Sequence, residues 1–308
     1  SKSQMKSVLG DHRPKTIARA SFFGMVSSSC SYAASALGKS LFSRGADFTT
    51  SMVFMFASTN LVIELGLVLL ILIGWQFAAA EFVGGAVMII LLTILIPRWV
   101  PAPLIASARG SLEESSDSDM KETSWREKIT SRLGLRKAVG YTIGDFIMLR
   151  TELIICLIVS GLASTLVSVE VWKTLFFTGH GFTSALENAI IGPFIAFISF
   201  VCSIGNVPLA AALWKGGITF GGVIAFIFAD LLAFPLVMIY RKYYGNKLAL
   251  RLSLIFWFVM SLSGLITEGI FSLLSQIPDH HIGSMAGTYI GWNSTTILNA
   301  IALIVLGT

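Results

Sequence analysis

The sequence predicts an all-α, polytopic membrane protein built from two inverted repeats, each containing a broken or re-entrant helical hairpin. Three observations carry that expectation. First, 55% of the 308 residues are hydrophobic and 13% charged, the mean hydropathy is +0.79, and several runs approach the roughly 20 apolar residues that cross a bilayer. Second, the stretch 194–229 recurs without a gap 172 positions earlier, at 22–57. Nine of the 31 aligned positions 30–60 are identical, including Cys30/Cys202, Ser31/Ser203, Gly45/Gly217, Phe54/Phe226 and Ala57/Ala229. Apolar composition alone does not hold a cysteine and a glycine at one offset, and a repeat interrupted by Gly, Pro and Ser points to a transporter with its site between two halves. Third, the 22 Lys and Arg flank the apolar spans and are spread unevenly among the loops, which reads as a topology signal rather than a nucleic-acid footprint.

Taken in order, the chain opens at Ser1 with a basic segment (Lys2, Lys6, Arg13, Lys15, Arg19) that has no signal-peptide core; residues preceding it are expected. The stretch 17–42 is the first repeat segment. Residues 41–74 follow as a long apolar helix enclosing Glu64, Trp75 and Gln76 make a tight break, and 77–96 is the next span, closed by Pro97. The serine-rich, acidic run in 101–123 reads as a solvated loop. Residues 125–137 form a basic amphipathic piece suited to an anionic lipid surface. An interfacial helix is expected through Arg150, then a span over 151–169. After a short polar stretch at 172–187 come the second repeat segment at 190–214, a span over 218–240 around Asp230, a basic turn (Arg241, Lys242, Lys247, Arg251), a span over 252–274 carrying Glu268, and a last span over 284–306.

Charge decides whether the repeat segments cross. If 17–42 and 190–214 both run straight through, Lys and Arg divide about equally between the two sides. If each enters, breaks at 27–31 or 203–208 and returns, nineteen of the 22 lie inside and only Lys173 and Lys215 outside, with Arg150 in the membrane. Each arm then has about ten residues, roughly 15 Å, half of a ~30 Å hydrocarbon core. The copies are entered from opposite sides, so they are inverted repeats whose tips meet near the midplane. The resulting organisation is a cytoplasmic segment 1–16, membrane repeat 17–96, cytoplasmic loop and interfacial helix 97–150, connecting span and external loop 151–187, membrane repeat 188–275 and a C-terminal span 276–308.

Unwound tips inside a membrane need protein or water around them, so a substrate site is expected there. Its residues are Cys30, Ser31, Cys202, Ser203, Asn206 and Pro208, faced by Ser58 (the repeat mate of Asp230) and Asn60 on the adjoining span. Asp230, Glu64 and Glu268 are the deepest carboxylates and the candidates for proton coupling, because an ionised carboxylate in the membrane needs a compensating role. A protonated carboxyl bonded to exposed hairpin backbone is the structural alternative. Glu81, Asp47 and Glu187 are expected at interfaces, solvated, and Cys156 is expected to pack. The Asp279, His280, His281 run and the Asn293-Ser294-Thr295 sequon carry little weight. No metal or cofactor is expected.

The stretches SSSCSYAASALGKSLFSRGADFTTSMVFMFASTNLVIELG and VCSIGNVPLAAALWKGGITFGGVIAFIFAD resemble the two signature regions of the ArsP-type permeases, and the resemblance covers both repeats, about two thirds of the chain. It implies export of trivalent organoarsenicals such as methylarsenite, with the family's signature cysteine falling on Cys202 in the second copy and Cys30 in the first. The sequence departs from the family's commoner Cys-Ser-Cys form, with Ile204 and Tyr32 in the second cysteine's place. Trivalent arsenic is a soft centre that prefers sulfur, so Cys30 and Cys202 would supply thiols from opposite repeats; the alternative is that both are small residues at close contacts.

The competing readings are a transporter or channel for another small solute and an intramembrane enzyme. Gly144-Asp145 is all that resembles an aspartyl protease. A Ser nucleophile lacks a His base, since His12, His180, His280 and His281 fall in loops, and no GxxxxGK[ST] nucleotide site occurs. The reading is therefore a multi-pass permease of the inner (plasma) membrane, not an enzyme. Its partners are a small-molecule substrate and the lipid bilayer, with self-association into a homo-oligomer open and nucleic acid not expected.

Overall fold

The computed structural model describes residues 2–116, 181–199 and 203–278. Among them every regular element is helical: α1 (Lys2–Leu9), α2 (Pro14–Ser27), α3 (Ser31–Ser43), α4 (Phe48–Asn60), α5 (Ile63–Leu72), α6 (Trp75–Trp99), α7 (Ala102–Ser116), α8 (Phe182–Ser199), α9 (Ser203–Lys215), α10 (Phe220–Phe228), a 3-10 turn (Ala229–Leu232), α11 (Phe234–Tyr244) and α12 (Asn246–Leu273). The amphipathic piece at 125–137, the expected spans 151–169 and 284–306, Cys156, Cys202, the histidine pair and the sequon lie outside the described residues. Four helical stretches are long and apolar enough to cross a membrane: Phe48–Leu72, Trp75–Trp99, Phe182–Ser199 and Asn246–Leu273. A fifth is the pair Phe220–Leu232 and Phe234–Tyr244, bent by 44°. The described residues are those of an all-helical, multi-pass membrane protein.

The offset of 172 seen in the residues recurs in the helices. Displacing α3 by 172 gives the bounds of α9, and displacing α4 gives α10 with its 3-10 turn. The turns between them match as well. Ala46 N donates to Leu41 O and Gly45 N to Phe42 O; at the displaced positions Ile218 N donates to Leu213 O and Gly217 N to Trp214 O. Gly45 and Gly217 have φ of 105° and 94°, a region that a side chain strains, which explains an identity that apolar composition could not. A side chain then caps each following helix, since Asp47 accepts from Thr50 N and Thr219 from Gly222 N.

The α2 and α3 helices fold back on one another. Near the start of α4, Asp47 N donates to Leu9 O and the Thr50 hydroxyl to Asp11 O; at its far end Ser29 N donates to Ser58 O. α3 returns along α4, with Gly38 beside Ser51 and Met55 and the Phe42 and Phe48 rings 5.1 Å apart. α8 and α9 repeat the arrangement about α10: Gly192 lies against Gly222 O, and Trp214 packs on Phe220. Every residue of α4 and α10 is buried, as expected of helices apolar on all sides.

Repeat-related α6 and α12 run antiparallel. The Ser263 hydroxyl donates to Gly84 O near the start of α6, and Arg251 donates to Trp99 O at its end. Charge is segregated along this axis. Lys39 lies over the Tyr243 ring and Arg109 over Phe42 while donating to Ala46 O, at the end shared by Arg251. Lys215 follows Trp214, which packs against Phe77 at the opposite end.

Several expectations need correction. The long helix expected within 41–74 runs from Phe48 to Leu72 as one span-length stretch, but it is interrupted at Leu61 and Val62. The span 218–240 is broken after Leu232, where Pro235 opens α11. The helix before Pro97 continues to Trp99. Residues 102–116, expected as loop, are helical. The arms are longer than ten residues, at 14 and 13 for α2 and α3 and 18 and 13 for α8 and α9. No break falls at 203–208, because Ser203–Lys215 is helical throughout and Pro208 sits inside α9.

Candidate functional site

The break after Leu232 places Asp230 on the 3-10 turn, 2% exposed. The Leu231 carbonyl accepts from the Tyr240 hydroxyl at 2.9 Å, which meets a requirement of irregular backbone at membrane depth. Three donors converge on the Asp230 carboxylate. The Ser31 hydroxyl donates to Oδ2 at 2.9 Å, the Ser203 hydroxyl donates to the same oxygen, and Asn60 Nδ2 reaches Oδ1 at 3.2 Å. Ser31 and Ser203 are repeat mates at the first positions of α3 and α9, and their oxygens are 3.4 Å apart. One carboxylate therefore ties together the two hairpin tips and the C-terminal end of α4. Three donors, one from an amide and two from hydroxyls, are the environment that stabilises a buried negative charge.

The other expected site residues divide. Cys30 is exposed and caps α3, its Sγ accepting weakly from Ala33 N at 3.5 Å. Cys202 lies outside the described residues. Ser58 is buried beside the tip but donates to Met55 O rather than to Asp230. Asn206 is buried with neither amide atom hydrogen-bonded, and Pro208 is exposed.

The carboxylates are redistributed relative to the sequence reading. Glu64 is exposed and accepts from the hydroxyl of Ser28, a tip residue with a left-handed φ of 33°. Glu268 accepts from Gly221 N at 3.0 Å and so serves the N-terminus of α10, away from the tips. Asp47, expected to be solvated, caps α4. Glu81, also expected at an interface, is fully buried on α6 with no hydrogen-bond partner for either oxygen. The signal for it was present in the helical spacing: Phe77, Ala80, Gly84, Gly85 and Met88 share its buried face.

With this geometry in hand, comparison with known proteins gives a consistent result. Residues 1–269 match the family model ArsP_1, described as "Predicted permease". The chain is 44% identical over 315 aligned residues to a Mycobacterium tuberculosis (strain ATCC 25618 / H37Rv) protein named "Putative permease Rv2963", the alignment covering 99% of this chain and 78% of the relative. No solved structure matches.

Proposed function

The chain belongs to the ArsP_1 family of predicted permeases, and from that premise we propose that it is a proton-coupled exporter of trivalent organoarsenicals such as methylarsenite in the plasma membrane. The observation that carries the reading is the meeting of Ser31 and Ser203, from two repeat-related tips, on the buried Asp230, with Cys30 immediately beside Ser31 and Cys202 immediately before Ser203 in sequence. Alternating access needs such a junction, because motion of one repeat against the other must make and break contacts at the substrate site. The soft metalloid centre is met by sulfur at the tips and its organic group by apolar walls.

Two inverted repeats with re-entrant hairpins complete the proposal. Its supports are the helix bounds recurring at one offset, the fold-back of α2 on α3, the antiparallel run of α6 and α12, and the gathering of Lys39, Arg109 and Arg251 at the end opposite Lys215. Positive-inside bias makes the first of these ends cytoplasmic. In an otherwise thiol-free protein, Arg44→Cys should react only with reagent on the cytoplasmic face and Lys215→Cys only with reagent outside. Labelling of both from one side would rule out the inverted arrangement.

Export itself is tested in everted vesicles with a panel of organic and inorganic arsenicals. Cys202→Ser and Cys30→Ser should each lower methylarsenite transport by about tenfold or more, equivalent to about 1.4 kcal/mol of lost interaction. Transport of arsenite or arsenate by the same vesicles should not change. At position 30 serine is a better helix cap than cysteine, so a loss there reports on sulfur rather than on folding. If one bridged complex uses both thiols, the double variant should be little worse than the worse single variant. Wild-type transport by the double variant would make the cysteines packing residues and leave selectivity to cavity shape.

A further inference from the structure

Glu81 is a carboxylic acid for which this fold provides no charge compensation. It sits two turns into α6, fully buried, and neither Oε1 nor Oε2 has a hydrogen-bond partner. Its surroundings explain why. Gly66 of α5 passes so close that a Cβ there would lie 3.4 Å from Glu81 Oε2 and 2.9 Å from the Phe82 ring, which closes the side facing α5.

Among the described residues, the elements packed on α6 bring no cation to it. α4 and α10 contain no charged residue. α5 carries Glu64, which is engaged by Ser28 at the surface. α12 carries Glu268, held by Gly221 N, Arg251, held by Trp99 O at the far end of α6, and Lys247, one turn before Arg251 and farther still from Glu81. The remaining titratable neighbour among the described residues is Asp230, bonded to Asn60, whose carbonyl faces Gly85 one turn beyond Glu81 on α6. The two buried carboxyls are thus unequal: Asp230 has three donors and Glu81 has none.

We propose that Glu81 carries the proton of the transport cycle, being a neutral acid in this closed arrangement and ionising only when α5 and α6 part at Gly66 and Phe82 to admit water. An ionised carboxylate left without donors at such a position would bear the full desolvation penalty, several kcal/mol even after relaxation, whereas the neutral acid bears much less. On opening, the O–H bond of Glu81 breaks, the proton passes to water, and the electron pair stays on the carboxylate. The proton taken up from the other side restores the acid. Asp230 is its electrostatic partner and the link to the substrate site: a charge on Asp230 disfavours a second charge on Glu81, so release of one proton and parting of the tips are coupled events. This inference rests on the proton-coupled reading above and names the group that reading requires.

Infrared spectroscopy tests it directly. At neutral pH the purified wild-type protein should show the carbonyl stretch of a protonated, non-hydrogen-bonded carboxylic acid, absent from Glu81→Gln and from Glu81→Met and retained in Glu64→Gln. Met fills the same space without polar atoms, which guards against misfolding of the Gln variant. In everted vesicles loaded with a pH-sensitive dye, methylarsenite should evoke proton movement in the wild type and none in either Glu81 variant. Absence of the band, or wild-type proton movement in Glu81→Gln, would overturn the proposal. A band without methylarsenite-evoked proton movement in the wild type would overturn proton-coupled export of methylarsenite and, with it, the carrier role, leaving Glu81 a structural acid.

Discussion

Asp230→Asn should abolish proton-driven export of methylarsenite from everted vesicles while exchange of bound substrate continues. The amide has the volume of the carboxylate and keeps one acceptor oxygen. Its nitrogen can donate to Ser31 or Ser203, whose hydroxyls accept as well as donate, so the junction between the tips survives. What is lost is the negative charge that the three donors are arranged around and, with it, the interaction that links Glu81 to the tips. Asp230→Ala is a different experiment, because it strands Ser31, Ser203 and Asn60 in a buried site. Each stranded polar group costs about 1–3 kcal/mol, so this variant should unfold at a clearly lower temperature in detergent as well as failing to transport. Gradient-driven export at the wild-type rate in Asp230→Asn would remove Asp230 from the coupling path.

How much of this was legible in the residues depends on whether the signal was local. Cys30/Cys202, Ser31/Ser203 and Gly45/Gly217 stand out as identities at one offset; the glycines have a local cause, a turn that needs positive φ, whereas the serines meet each other across the whole repeat. Asp230 stood out as a charge in an apolar run. The breaks in the spans were less visible. At Leu61 and Val62 there is no Gly or Pro, and the interruption follows from Asn60 turning to a partner 170 residues away. At Ala233 there was a sign, Pro235, outweighed by the apolar length of the run. Pro208 misled in the other direction. α9 runs from Ser203 through Pro208 to Lys215, giving up one backbone hydrogen bond rather than ending there. α7 was hidden by its Ser and acidic content, which composition reads as loop. Glu81 was misplaced because depth was counted along the chain from the break at Trp75. Two turns of helix advance about 11 Å, and Gly66, Gly84 and Gly85 let neighbouring side chains close over it.

A large loss of stability is also expected at the crossing of α10 and α12, where Gly221 and Gly264 meet backbone to backbone. A methyl group on Gly221 would lie 2.5 Å from Gly264 O, and one on Gly264 would meet Gly221 O and, at 2.9 Å, Ala225 Cβ. The obstructing atoms are main chain, so no side-chain rotation relieves them, and the helices must move apart. In a membrane the association of helices depends on such close contact between small residues, since lipid is as apolar as the helices themselves. Separation would also pull Glu268 from Gly221 N, exposing the N-terminus of the helix that leads to Asp230. Gly264→Ala should therefore cost about 1–3 kcal/mol, and Gly264→Leu should prevent recovery of a monodisperse protein. The control is Gly269→Ala on the same helix, where an added Cβ meets nothing within 4 Å. There alanine should be neutral or stabilise by up to about 1 kcal/mol through helix propensity. Thermal unfolding in one detergent, followed by fluorescence-detected gel filtration, orders the three variants. If Gly264→Ala melts with Gly269→Ala, the two helices do not cross at these glycines.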